Sequence, residues 1–166
     1  MGCCAVKTEH RVILRGLSSS GKTSIFNQLF LIDTAIPRVG HNVETLKHKR
    51  HIVTFEDFSG SVKARQLWYH YYYDTDFIIY VVDSCETDQY RINEAKEEIH
   101  EISNNNEIYN LPLVILANKS DIRKLSNEEI IDLYNLDSIG RVWKIFNTSI
   151  YDKESILNVV DWICIV

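Results

Sequence analysis

Gly16-Leu17-Ser18-Ser19-Ser20-Gly21-Lys22-Thr23 constrains what this chain can fold into more than any other stretch. It fits the pattern G-x-x-x-x-G-K-[ST]. It follows a short apolar run, Arg11 to Arg15 (RVILR), and precedes a segment with Ile25, Phe26, Leu29 and Phe30 at helical spacing. The glycines let the backbone curl so that successive N–H groups point inward at phosphate oxygens. Lys22 adds a point charge for β and γ phosphates, and Thr23 offers a hydroxyl to Mg²⁺. Ser24 carries the cradle into the helix start, where the helix dipole also favours an anion. A plain Gly/Ser connection would also join strand to helix, but the whole motif in this context reads as a phosphate loop.

The rest of the chain supplies the scaffold such a loop needs. Phe77 to Val82 (FIIYVV) and Leu113 to Ala117 (LVILA) are near-continuous apolar runs, as expected of strands covered on both faces. Between them, Ile92, Ala95, Ile99 and Ile102 recur at helical spacing over Arg91 to Ile102. Asn104 to Asn106 read as a surface loop, and Ser126 with Glu129 reads as a capping box. Val142 to Phe146 predicts a further strand and Glu154 to Ile163 a closing helix. This alternation predicts a three-layer α/β domain with a mostly parallel sheet. Val43 to Leu46 and Ile52 to Phe55 flank the basic turn Lys47 to His51 with no helix between, so they add one antiparallel hairpin strand. That turn reads as a solvated tip or as a face toward acidic lipid heads. The length of 166 residues fits one domain, placed at 11–166 behind a short extension, 1–10.

Composition removes several classes. Net charge is −5, the wrong sign for a dedicated nucleic-acid binder. The cysteines Cys3, Cys4, Cys85 and Cys164 form no C-x-x-C pair, which disfavours a zinc site. No apolar run approaches the roughly 20 residues of a spanning helix. These features predict a cytoplasmic protein with reduced thiols.

Asn118-Lys119-Ser120-Asp121 follows the second apolar strand, at the edge where α/β sheets bind ligands. The Asp121 carboxylate can accept from guanine N1 and N2, whereas adenine has no such donor pair. Asn118 and the Lys119 stem would buttress the base. Asp57-Phe58-Ser59-Gly60 is D-x-x-G at the end of the second hairpin strand. There Asp57 would hold Mg²⁺ through water and the Gly60 N–H would reach a γ-phosphate. A P-loop kinase is the competing enzyme class. It would need an adenine preference and an arginine-bearing lid; Asp121 opposes the first, and no Arg-rich lid segment is visible.

Together the pieces GLSSSGKT, IPRVGHNVET (Ile36 to Thr45), DFSG, LWYHYY (Leu67 to Tyr72), VVDS (Val81 to Ser84), LANKSD and DWI (Asp161 to Ile163) resemble a Ras-type small GTPase, and more closely the ADP-ribosylation-factor (Arf) and Arf-like family. The resemblance implies the P-loop NTPase fold, GTP/GDP and Mg²⁺ as ligands, and a switch role in vesicle trafficking or signalling. Partners would be an exchange factor, an activating protein and an effector. It also implies that Thr148-Ser149-Ile150 is the last base loop, where backbone N–H groups of Ser149 and Ile150 meet guanine.

This sequence departs from the family pattern in four respects. Arg38 stands where switch I has a Thr, and it has no oxygen to offer a metal. Ser61 stands where a Gln orients the attacking water. Glu56 and His41 replace aromatics of the partner-recognition surface, leaving Tyr71 of that set. The start, Met1-Gly2-Cys3-Cys4, predicts myristoylation of Gly2 with palmitoylation at Cys3 or Cys4 in place of the family's amphipathic helix, although Val6 departs from the usual Ser or Thr. The expectation is a peripheral guanine-nucleotide-binding switch with weak hydrolysis, or else a nucleotide-locked pseudo-GTPase. Arg38 as an arginine finger supplied in cis is a variant of the first.

Overall fold

The computed structural model of the chain describes residues 8–30, 41–58, 72–123 and 125–166. The strands are β1 (Thr8–Arg15), β2 (His41–His48), β3 (His51–Phe58), β4 (Phe77–Asp83), β5 (Leu113–Asn118) and β6 (Trp143–Thr148). Among the described residues the α-helices are α1 (Lys22–Phe30), α2 (Gln89–Asn104), α3 (Asn127–Tyr134) and α4 (Lys153–Ile163). The six strands form one sheet in the order β2-β3-β1-β4-β5-β6, parallel throughout except for the β2–β3 hairpin.

Alternation along the strands builds two cores. Ile13, Ile78, Tyr80, Val82, Leu113 and Ile115 face α2 and α3. Val12, Leu14, Ile79, Val81, Val114 and Leu116 face α1 and α4. Odd and even positions of β4 and β5 are therefore both buried, which is why their sequences read as unbroken apolar runs. Ile25, Phe26 and Leu29 are buried as the helical spacing requires. The capping box forms: the Glu129 N–H donates to Ser126 Oγ (3.2 Å) and the Ser126 N–H to Glu129 Oε2 (2.7 Å).

The boundaries differ from expectation where polar residues pair. β1 begins at Thr8, not Arg11, because Thr8, Glu9 and His10 find parallel partners in His51, Ile52 and Val53. The hairpin strands run closer to the tip, leaving Lys49 (φ 54°) and Arg50 as the turn. That tip is more than a solvated end: His48 Nε2 lies 2.7 Å from Asp161 Oδ1, and Lys49 pairs with the same carboxylate. Those contacts hold Asp161 below its usual range, Lys49 contributing most. Asn104 belongs to α2, so the expected loop begins with Asn105. Arg141, which sequence reading passes over, is buried and gathers loop carbonyls, donating to Ile102 O (3.1 Å), Ile108 O (2.6 Å) and Leu111 O.

Where β1 meets β3, the His10 and His51 rings stack at 5.1 Å, with Nε2 of the first 2.9 Å from Nδ1 of the second. Burial and then the neighbouring His51 lower the His10 pKa, against the pull of Asp76. A lowered histidine pKa favours the neutral form in the fold. Its contribution is fully present above the ordinary value of 6.5 and is lost as pH falls from there through the folded value. Urea midpoints are therefore expected to drop between pH 7.5 and 5.5, and His10→Gln is expected to flatten that part of the profile. An unchanged slope in the variant would show that another group sets it.

Candidate nucleotide site

The loops after β1, β5 and β6 meet, beside the end of β3, at the carboxyl edge of the sheet, the crevice where open α/β sheets bind ligands. Gly16 opens the first loop at φ +138°, Ser19 lies in the left-handed region at φ 65°, and Gly21 closes it at φ +96°. A Cβ on Gly16 would come within 2.3 Å of Val81 O, and one on Gly21 within 2.1 Å of Asn118 Nδ2. Both glycines are thus required by close approach as well as by φ.

Lys22 is buried at the loop's centre and donates to Gly16 O and Leu17 O, each at 2.8 Å. The loop carbonyls hold the ammonium inside the curl that would receive a phosphate. Thr23 Oγ1 donates to Asp57 Oδ2 at 2.8 Å, so the hydroxyl and carboxylate proposed for one cation are already neighbours. Arg91, at the start of α2, donates to Ser18 O (2.6 Å) and to Glu86 Oε2 (2.6 Å). Hydrogen bonding to Arg91 is the main reason the Glu86 pKa lies below the ordinary value.

Asn118 links the second loop to the first. Its Nδ2 donates to Ser20 O at 2.9 Å, and Thr148 Oγ1 reaches its Oδ1 at 3.4 Å. Its own carbonyl accepts from the Ser84 N–H (3.1 Å). Lys119 sits at φ 63° and its Nζ donates to Asp83 Oδ2 at 2.5 Å, which fixes the side-chain stem. Asp121 is exposed but oriented: Ser149 Oγ donates to its Oδ1 at 2.6 Å. Between these parts lies a cleft of about 330 Å³ lined by Gly21, Ser24, Asn118, Lys119, Asp121, Ile122, Ile150 and Tyr151.

The structure therefore brings together the residues expected from sequence in the phosphate loop, Asp57, and the residues of both base loops. Gly60, Ser61 and Arg38 lie outside the described residues, as do Tyr71 and the lipidation candidates Gly2, Cys3 and Cys4. Sequence reading missed Asp83, Arg91, Ile122 and Tyr151. Asp83 carried a signal, a carboxylate ending an apolar strand at the ligand-binding edge. The reach of Arg91 to Ser18 carried none, because helical spacing says nothing about a contact across loops.

A mostly parallel sheet with one antiparallel strand, a P-loop after β1 and a guanine-type N-K-x-D loop after β5 define the small GTPase fold. The family model described as "ADP-ribosylation factor family" matches residues 2–165, and the chain belongs to that family. It is similar to ADP-ribosylation factor K of Dictyostelium discoideum, with 38% identity over 161 residues, covering 95% of this chain and 85% of that protein. Among solved structures it is similar to the Arl6 BBS3 small GTPase from Trypanosoma brucei with bound nucleotide analogue GppNp. That match has a TM-score of 0.83 and 30% identity, and covers 95% of this chain and 96% of the other.

Proposed function

We propose that the cleft binds GDP and GTP, with guanine read by Asp121 and the phosphates cradled by Gly16 to Thr23, and that the chain works as a switch in membrane trafficking. The observation that carries this reading is the Asn118–Ser20 hydrogen bond, which seats the base-reading loop against the phosphate loop. The donor set fits Mg²⁺: a hydroxyl and a buried carboxylate, both hard oxygens, meet at 2.8 Å beside the loop. Thr23 would ligate the ion directly and Asp57 would hold it. When bound, Mg²⁺ neutralises charge on the β and γ phosphates. Lys22 adds its ammonium, and the loop amides hold the phosphate oxygens in place. Family membership and the Met1-Gly2-Cys3-Cys4 start support a peripheral membrane location.

Arg38 and Ser61 favour weak hydrolysis, because neither supplies the metal ligand or the water-positioning amide of the family pattern. In the limit the chain is a nucleotide-locked binding module. One purification from eukaryotic cells tests the whole reading by mass spectrometry and single-turnover assay. A guanine nucleotide is expected to co-purify, with a myristoyl mass on Gly2. Hydrolysis is expected to fall below the order of 10⁻⁴ s⁻¹ that a water-positioning glutamine supports unaided. A co-purifying adenine nucleotide would overturn the assignment of the base. Turnover at the glutamine-supported rate would remove the locked-module reading.

A further inference from the structure

Arg15 ends β1 and is buried (7% exposed), directly after Val12, Ile13 and Leu14, which fill the core as apolar residues should. Taking a guanidinium out of water is costly, and a fold keeps one inside only with partners. One partner lies far off in the chain. Arg15 Nη1 donates to the hydroxyl of Tyr72, which is also buried, and the guanidinium lies over the same ring, 5.6 Å from its centroid. Tyr80, opposite Arg15 in the register of β1 with β4, donates from its hydroxyl to the buried Glu98 carboxylate of α2 at 2.7 Å. Polar groups are thus built into a core that apolar residues otherwise fill.

We propose that Arg15 is a positioning residue for the phosphate loop and that Tyr72 anchors it. This rests on the phosphate-cradle part of the reading above. Arg15 directly precedes Gly16, the kind of residue whose own chemistry restrains the backbone least. Gly16 must nonetheless hold φ +138° against Val81 O, and its carbonyl accepts from Lys22 Nζ at 2.8 Å. A glycine does not hold such a direction by itself, but a pinned neighbour can hold it. With the Arg15 side chain gripped by ring and hydroxyl, the Arg15–Gly16 peptide has a fixed heading. Through Gly16 O that heading reaches the ammonium that would meet phosphate. A methionine would fill similar space, but apolar burial is non-directional and would give no such grip. An arginine where the strand pattern asks for an apolar side chain is the kind of local violation that proteins carry at functional sites.

The test uses the full chain freed of nucleotide, with calorimetric titration of inorganic tripolyphosphate, guanosine and GDP. Tyr72→Phe keeps the ring and removes the hydroxyl, and is expected to weaken tripolyphosphate about threefold. Arg15→Met combined with Tyr72→Phe replaces both partners by apolar groups, a change that cores tolerate, so a cooperative melt should remain. In that variant tripolyphosphate and GDP should weaken on the order of tenfold, equivalent to one charge-assisted hydrogen bond lost at the loop. Guanosine affinity should stay within about twofold of the parent, as for a distant site. Parental tripolyphosphate affinity in Tyr72→Phe or in the folded double variant would overturn the positioning role and leave the nucleotide reading intact. Equal weakening of guanosine and tripolyphosphate would also overturn it, because general damage to the site needs no positioning residue. A parent that binds tripolyphosphate but neither guanosine nor GDP would overturn the assignment of the base and leave this inference standing. A parent that binds none of the three would overturn both.

Discussion

Asp121→Asn is expected to move the site's preference from guanine to xanthine. On the proposed reading the carboxylate would accept from the two guanine donors N1–H and N2–H₂. An asparagine amide presents one acceptor and one donor, and xanthine carries a carbonyl where guanine has its amine. Hydrogen bonds to a charged group contribute about 1.5–3 kcal/mol each. GDP affinity should therefore fall by roughly a hundredfold or more, with xanthosine diphosphate binding in its place. Asp121→Ala should lose GDP without that gain. Ser149→Ala is expected to cost less, because it removes the 2.6 Å bond that orients the carboxylate but leaves the charge. Equal GDP affinity in parent and Asp121→Asn would show that the base is read elsewhere.

Gly16→Ala should be the most disruptive change in the phosphate loop. At φ +138° an L side chain is strained whatever the space, and the new Cβ would press on a backbone atom, Val81 O, at 2.3 Å. The backbone strain alone costs about 1–3 kcal/mol, and relieving the overlap must displace β4 or the loop. Urea unfolding should show a loss of at least that size, together with loss of nucleotide binding. Gly140→Ala is the control. Its Cβ would meet only the Tyr109 hydroxyl, at 3.2 Å, at the end of a flexible side chain. Comparable losses in the two variants would mean that the close approach to Val81 is not what demands glycine.

Much of this architecture is legible in the sequence because its strongest signals are local. Phe77–Asp83 and Leu113–Asn118 declare themselves as strands by being apolar on both faces. Ser126 and Glu129 specify their own cap. The phosphate loop is legible for the same reason, since its glycines answer a demand of the backbone. What escaped depends on partners distant in sequence. Thr8 to His10 read as a polar extension, and only the register with His51 to Val53 makes them strand. Lys47 to His51 read as a solvated tip or a face toward acidic lipid heads, and only the packing of α4 puts Asp161 beside it. Tyr151 follows a loop identified by resemblance, and nothing in its neighbours says that it lines the cleft.

The Asn118 side chain has a consequence for what the cleft will accept. It is buried, tied at one end to Ser20 in the phosphate loop and at the other to Thr148. Gly21 packs so closely against it that even a methyl group would displace it. On the proposed reading the two ends of a nucleotide would therefore be gripped by clamps bolted to one short strut, and the site would act as a fixed-length gauge. A molecule with the right base and the right phosphates, but a longer or shorter spacer between them, can satisfy one clamp and not both.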